Sequence, residues 1–264
     1  MNSHDAHPKT DLTDAQLEHY SRHILLDPID IDGQVKLMNS HILVVGCGGL
    51  GATVIPLLAA AGVGQLSIVD SDVIERSNLQ RQLSYRMADI DLPKVQVMAD
   101  WIHALNPDVA VLAVNQRVDE HNLAELISQS TVDVLIDCTD NFSTRHVLNR
   151  ASFCEKIPLV SGAAVRFDGQ LALYDPRDAN SPCYACAFPE QAQVSDGACA
   201  TLGIFSPVVV IIGAAQASLA LRLALELPNL PVGVLQTFNA LQDEWLSFQL
   251  SKNTLQIYPT RAVF

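Results

Sequence analysis

Apolar residues fall into short β-branched blocks, separated by longer stretches where they recur every three or four positions. Residues 41–45 (HILVV) form the first block and read as a buried parallel strand. Residues 50–61 (LGATVIPLLAAA) read as a helix and 66–69 (LSIV) as a second strand. The alternation continues with a helix over 94–105, a strand over 109–114, a helix over 120–129, a strand over 132–137, a helix over 142–155 and a strand over 158–161. Such alternation predicts a mainly parallel sheet with helices on its faces. Ahead of it, residues 12–26 carry the spacing of an amphipathic helix that includes Arg22, within a helical arm spanning about residues 11–40.

The pattern then changes. Residues 170–174 read as another strand, and 175–206 are polar and contain Pro and Cys. A loop of that length is usually functional or disordered. The longest apolar stretch, 208–221 (VVVIIGAAQASLAL), is interrupted by Gln216 and closed by Arg222. It is short for a bilayer span and rich in small residues, so it reads as a buried core helix. Residues 234–239 and 244–250 flank ALQD and predict an antiparallel hairpin. The expected architecture is one doubly wound α/β domain over 1–264, its mainly parallel sheet extended by antiparallel strands.

The first strand–helix junction carries the clearest chemistry. In VVGCGGLG, Gly46, Gly48 and Gly51 stand in G-x-G-x-x-G register, with Gly49 between them. Gly46 permits the tight turn, Gly48 lets backbone approach a phosphate, and Gly51 lets helix and strand pack closely. The free N–H groups of the helix start then meet the anion. Asp70 ends the second strand 19 residues beyond Gly51, close to the roughly 20-residue spacing of an acid that holds ribose hydroxyls. The junction therefore reads as a Rossmann-like nucleotide site.

Composition narrows the setting. The 264 residues are 49% hydrophobic and 17% charged, with a formal net charge of −13. That charge argues against a nucleic-acid partner, whose binding is driven by phosphate neutralisation. The stretch MNSHDAHPKTDLTDAQ has no apolar core and does not read as a signal peptide. With six cysteines and no secretory segment, the expectation is free thiols in the cytoplasm and no membrane partner. Cys47, Cys138 and Cys154 read as small core residues, whereas Cys183, Cys186 and Cys199 share the polar segment.

A nicotinamide cofactor would leave several residues unexplained. Activating a carboxylate with ATP requires a carboxylate oxygen to attack the α-phosphorus while pyrophosphate leaves, so fixed cations and a metal must screen the developing charge. Arg81, Lys94 and Arg22 offer cations, and Asp137 and Asp140, at the end of the fourth strand in IDCTDN, offer hard oxygen ligands for Mg²⁺. Asn78 and Gln82 can donate amide N–H groups to phosphate or ribose. An NAD-dependent oxidoreductase would account for the glycines and Asp70, but gives Arg81, Lys94 and Asp140 no role.

These segments resemble the MoeB/ThiF (HesA/MoeB/ThiF) family of adenylyltransferases, relatives of ubiquitin-activating E1 enzymes. The resemblance is carried by HYSRHILL at 19–26, VVGCGGLG at 44–51, AGVGQLSIVDSD at 61–72, NLQRQ at 78–82, PK at 93–94, DCTDN at 137–141 and VSGAAVRFDGQ at 160–170. It spans roughly residues 15–250, with NLQRQ and DCTDN its most specific parts. It implies that Asp70, with Asp72 beside it, holds the ribose. Asn78, Arg81 and Lys94 would hold the phosphates and Asp140 the Mg²⁺, with Gln82 a further ATP-binding candidate. Arg22 would reach the γ-phosphate of a neighbouring protomer's ATP, which implies a homodimer. The implied reaction is adenylation of the C-terminal glycine of a ubiquitin-like sulfur carrier ending in Gly-Gly, of the molybdopterin-synthase small-subunit or thiamine type. A sulfurtransferase or cysteine desulfurase would then supply sulfur. Competing readings are adenylation of a peptide or a modified tRNA base, and a non-catalytic carrier-binding scaffold.

The chain also departs from the family. Members usually hold a structural zinc with two C-x-x-C pairs, the second near the C-terminus. Cys183 and Cys186 supply one pair, and the tail SKNTLQIYPTRAVF contains no cysteine. Two thiolates leave a tetrahedral zinc short of two ligands. Cys199, in DGACATLG, matches a family cysteine linked to sulfur transfer or acyl chemistry, but no Lys, Arg or His lies within several residues to activate it.

Overall fold

The computed structural model describes residues 9–190 and 202–252. Eight strands form one sheet: β1 (His41–Val45), β2 (Gln65–Val69), β3 (Ala110–Val114), β4 (Val134–Asp137), β5 (Leu159–Val165), β6 (Asp168–Tyr174), β7 (Val234–Asn239) and β8 (Glu244–Gln249). Their order is β3-β2-β1-β4-β5-β6-β7-β8. The first five are parallel, and β6, β7 and β8 add antiparallel. The strand order reverses between β1 and β4, which places a crevice at their carboxyl ends, where ligands bind in open α/β sheets.

β1 is buried at every position, as a central strand covered on both faces must be. The helix α4 (Gly51–Ala60) follows it and contains Pro56. Proline cannot donate to the carbonyl four residues back, and the Ala52 carbonyl accepts instead from Ser84 Oγ at 2.7 Å. That bond also ties the 76–89 segment to the back of the glycine loop.

Where the spacing over 12–26 predicts one helix, the chain forms α1 (Asp14–His19) and α2 (Ser21–Ile24), then α3 (Asp30–Asn39). The break falls at Tyr20, which is 4% exposed and whose hydroxyl accepts from Asn106 Nδ2 at 2.8 Å. Anchoring that ring in the core outweighs continuing the helix. The fifth strand likewise runs past its expected end at 161 to Val165 and pairs with all of β6. Gly and Ala in SGAAV have low intrinsic strand preference, so the pairing with β6 determines the length.

The remaining helices are α5 (Lys94–Leu105), α6 (Glu120–Ser128), α7 (Phe142–Glu155), α8 (Tyr184–Ala187) and α9 (Ser206–Ala224). α8 lies within the expected 175–206 loop. α9 is long and apolar enough to cross a membrane, yet it packs on α4, β5 and β6 and buries Val208, Ile212, Ala217 and Ala220. It is the core helix the apolar run predicts. Its Gln216, fully buried, donates from Nε2 to the Asp137 carbonyl at 2.7 Å and so fastens the end of β4.

Candidate active site

The carboxyl ends of β1, β2 and β4 open onto a cleft of about 810 Å³. Gly46 leaves β1 at φ 99°, and a Cβ there would stand 2.6 Å from the Cys138 carbonyl oxygen. Gly51 starts α4 so close to β1 that a Cβ would meet the Gly46 carbonyl oxygen at 2.0 Å. At Gly48, by contrast, a Cβ would meet Gln82 Nε2 at 3.7 Å, so the loop is open on the cleft side. No side chain caps α4, which leaves the N–H groups of its first turn to whatever anion enters.

Asp70 joins this loop to β2. Its Oδ2 accepts from the Cys47 N–H at 2.7 Å and its Oδ1 from the Asp72 N–H at 2.8 Å. Burial raises the Asp70 pKa above the usual carboxylate value, opposed by the Lys94 ammonium and those two N–H groups. The remaining lone pairs of the carboxylate can accept hydroxyl donors.

Arg81, Lys94, Asn78 and Gln82 line the same cleft. Lys94, the first residue of α5, is 5% exposed and places Nζ 2.9 Å from Asp72 Oδ2. Arg81 lines the cleft beside Gly49 and donates from Nη1 to the Ser77 carbonyl at 3.1 Å. Asn78 closes its own turn, its Oδ1 accepting from the Glu75 N–H at 3.1 Å. Gln82 is 2% exposed, and its Oε1 has no hydrogen-bond partner among the described residues. A buried amide oxygen without a donor costs free energy unless a ligand or water supplies one.

The two carboxylates of DCTDN part company. Asp140 is exposed on the cleft wall, a hard oxygen donor fit to carry a magnesium–phosphate group. Asp137 is 1% exposed; it accepts from Ser161 Oγ at 2.7 Å and from Thr139 Oγ1 at 2.7 Å, and lies 3.6 Å from Arg145 Nε. It is not among the residues lining the cleft. Arg145 lines the cleft, as do Gln116, Arg117 and Thr144, none of which the sequence pattern singles out. The available signal for Arg145 is its place one turn into α7, behind the N-cap Asn141, whose Oδ1 accepts from the Thr144 N–H at 2.9 Å.

Arg22 is exposed on α2 and is not among the residues lining this cleft. Cys183 and Cys186 approach to 3.6 Å between sulfurs. Among the described residues no group of three or more His, Cys, Asp or Glu comes together to hold a metal. Cys199 lies outside the described residues. Burial pushes the Cys47 and Cys138 thiols well up, in keeping with core roles.

A phosphate loop at a strand-order reversal, an acid on the second strand and clustered cations at the carboxyl ends define a nucleotide-binding, doubly wound α/β protein. The chain belongs to the ThiF family, whose sequence profile matches residues 20–257. It is 45% identical over 214 residues to the SAMP-activating enzyme E1 of Haloferax volcanii, covering 80% of this chain and 77% of that one. It is 39% identical to the sulfur carrier protein ThiS adenylyltransferase of Escherichia coli, covering 91% and 94%. It is 37% identical to the Escherichia coli molybdopterin-synthase adenylyltransferase, covering 92% and 96%. Among solved structures, Escherichia coli MccB with MccA-N7isoASN matches at a TM-score of 0.77 and 21% identity over 90% of this chain and 73% of that one. That likeness is one of fold.

Proposed function

We propose that this protein catalyses ATP-dependent adenylation of the C-terminal glycine of a ubiquitin-like sulfur carrier protein. A carboxylate oxygen of the carrier attacks the α-phosphorus of ATP, the bond to the β-phosphate oxygen breaks, and pyrophosphate leaves, giving an acyl-adenylate for later sulfur transfer. The observation that carries this reading is that Arg81, Lys94, Arg145 and Asp140 line one cleft with the glycine loop. The names of these relatives support the choice of acceptor.

Within this reading Asp70 holds the ribose hydroxyls. The Gly46–Gly51 loop, Asn78 and Gln82 hold phosphate oxygens, and Arg81 and Lys94 stabilise the charge that grows on the leaving pyrophosphate. Asp140 is the residue that would hold Mg²⁺, which supplies further charge neutralisation when bound. ATP–pyrophosphate exchange by the purified protein tests the reading. Exchange that appears only with a carrier ending in Gly-Gly is expected, and ATP binding without exchange for any carrier would overturn it.

Arg22 completes the neighbouring protomer's site in this proposal, and the assembly is a cytoplasmic homodimer fed by a separate sulfur donor. The exposed apolar residues Leu25 and Leu26 beside Arg22 favour its burial between copies. An Arg22→Ala protein and an Asp140→Ala protein, each inactive alone, are expected to regain about a quarter of wild-type activity on mixing, since random pairing leaves one intact site in half of the dimers. Exchange kinetics in verified mixed dimers measure this, and absence of recovery would exclude shared sites.

A further inference from the structure

Neither cysteine of α8 lines the nucleotide cleft. Cys183 and Cys186 stand in C-x-x-C spacing, and the chain's other four cysteines supply no second pair of that kind. Cys183 caps the start of α8 and Cys186 lies one turn on, which puts both side chains on one face. Their sulfurs approach to 3.6 Å, and the Cys183 N–H donates to Cys186 Sγ at 3.4 Å. Cys183 is 8% exposed, whereas Cys186 is only half-buried. Between them Tyr184 turns inward. Its N–H donates to Asn149 Oδ1 of α7 at 2.9 Å, and its ring meets the His146 ring edge-on at 5.2 Å.

We propose that Cys183 and Cys186 form a reversible dithiol–disulfide couple, oxidised by exchange with a small-molecule disulfide, and that the bond closes the turn which seats Tyr184 on α7. The proposal stands whether or not the protein adenylates a carrier. Two sulfurs already in contact need only side-chain rotation to reach bonding distance. The less buried Cys186 is the point of entry. Its thiolate attacks one sulfur of the incoming disulfide and expels the other as a thiolate, leaving a mixed disulfide. The Cys183 thiolate then attacks the Cys186 sulfur and expels the second small thiolate. The protein thiols give up two protons and two electrons in all, and the small disulfide takes them up as two thiols. In a reducing compartment such a pair responds to the thiol poise and is not a permanent staple. Cys47 and Cys138, 0% and 6% exposed, are shielded from the same reagent.

The test treats the whole chain with glutathione disulfide, alkylates the remaining thiols after denaturation and maps the products by peptide mass. The wild-type peptide holding Cys183 and Cys186 should be two hydrogens lighter and carry neither alkyl group nor glutathione, and dithiothreitol should restore both thiols. Cys47 and Cys138 should be alkylated throughout. Cys183→Ser should instead retain glutathione on Cys186, since no second thiol remains to displace it. Cys186→Ser leaves only the buried thiol and should take up glutathione more slowly. Hydrogen exchange at the Tyr184 amide should be slower in the oxidised wild type than in the reduced. The wild-type maps decide without either variant. A pair that stays reduced, ends as a glutathione adduct or bonds to Cys199 overturns the proposal. So does one zinc per chain in the untreated protein with both thiols protected from alkylation. Equal exchange at Tyr184 in the two forms overturns the link to α7.

Discussion

Lys94→Ala is expected to lower the kcat of ATP–pyrophosphate exchange by about 100-fold or more, the scale on which one preorganised charge donor contributes to a transition state. The ammonium sits in the cleft wall at 5% exposure, where its field is less screened by water than that of a surface lysine. The fold should survive the change. The ion-pair partner left behind, Asp72, has a side chain that is 65% exposed, so that carboxylate returns to water at little cost, and Asp70, which loses the opposing ammonium, keeps its two N–H donors. Rapid-quench turnover beside a thermal melt separates the two effects. Near-normal turnover in a folded Lys94→Ala protein would remove Lys94 from the chemistry.

The second large effect is structural. Gly51→Ala should destabilise the protein by about 3 kcal/mol, the upper end of what overpacking costs, because the new Cβ would meet the Gly46 carbonyl oxygen at 2.0 Å. Both groups are backbone, so relief requires α4 to move away from β1. Gly48→Ala makes the contrast. Its Cβ would find Gln82 Nε2 at an ordinary 3.7 Å, so the denaturant midpoint should hold while ATP affinity falls. The two unfolding curves and two ATP titrations decide this, and a wild-type midpoint for Gly51→Ala would show that the strand–helix contact is not the reason for the glycine.

The parallel half of the sheet and the phosphate loop were legible because their signals are local. A β-branched run, a glycine register and an acid at fixed spacing each follow from a few consecutive residues. What was not legible depends on distant partners. Tyr20 breaks its helix because of Asn106, and β5 runs to Val165 because of β6. The site divides the same way. Asp70, Asn78, Gln82 and Lys94 were found from motif and order, and all line the cleft. Asp137 and Asp140 looked equivalent in IDCTDN, and only the burial of Asp137 beside Ser161 and Arg145 separates them. Arg145 itself looks like any helical arginine until the fold brings it to the cleft wall.

The position of α9 also bears on how the chain comes to be folded. The back of β4 and β5 is built from residues before 166, but the helix that covers it ends at Ala224. During synthesis, at about 5–20 residues per second, that apolar face and an apolar segment of 19 residues remain apart for several seconds. A nascent chain in that interval presents two sticky surfaces that fit each other, and chaperone capture should fall off once residue 224 has left the ribosome.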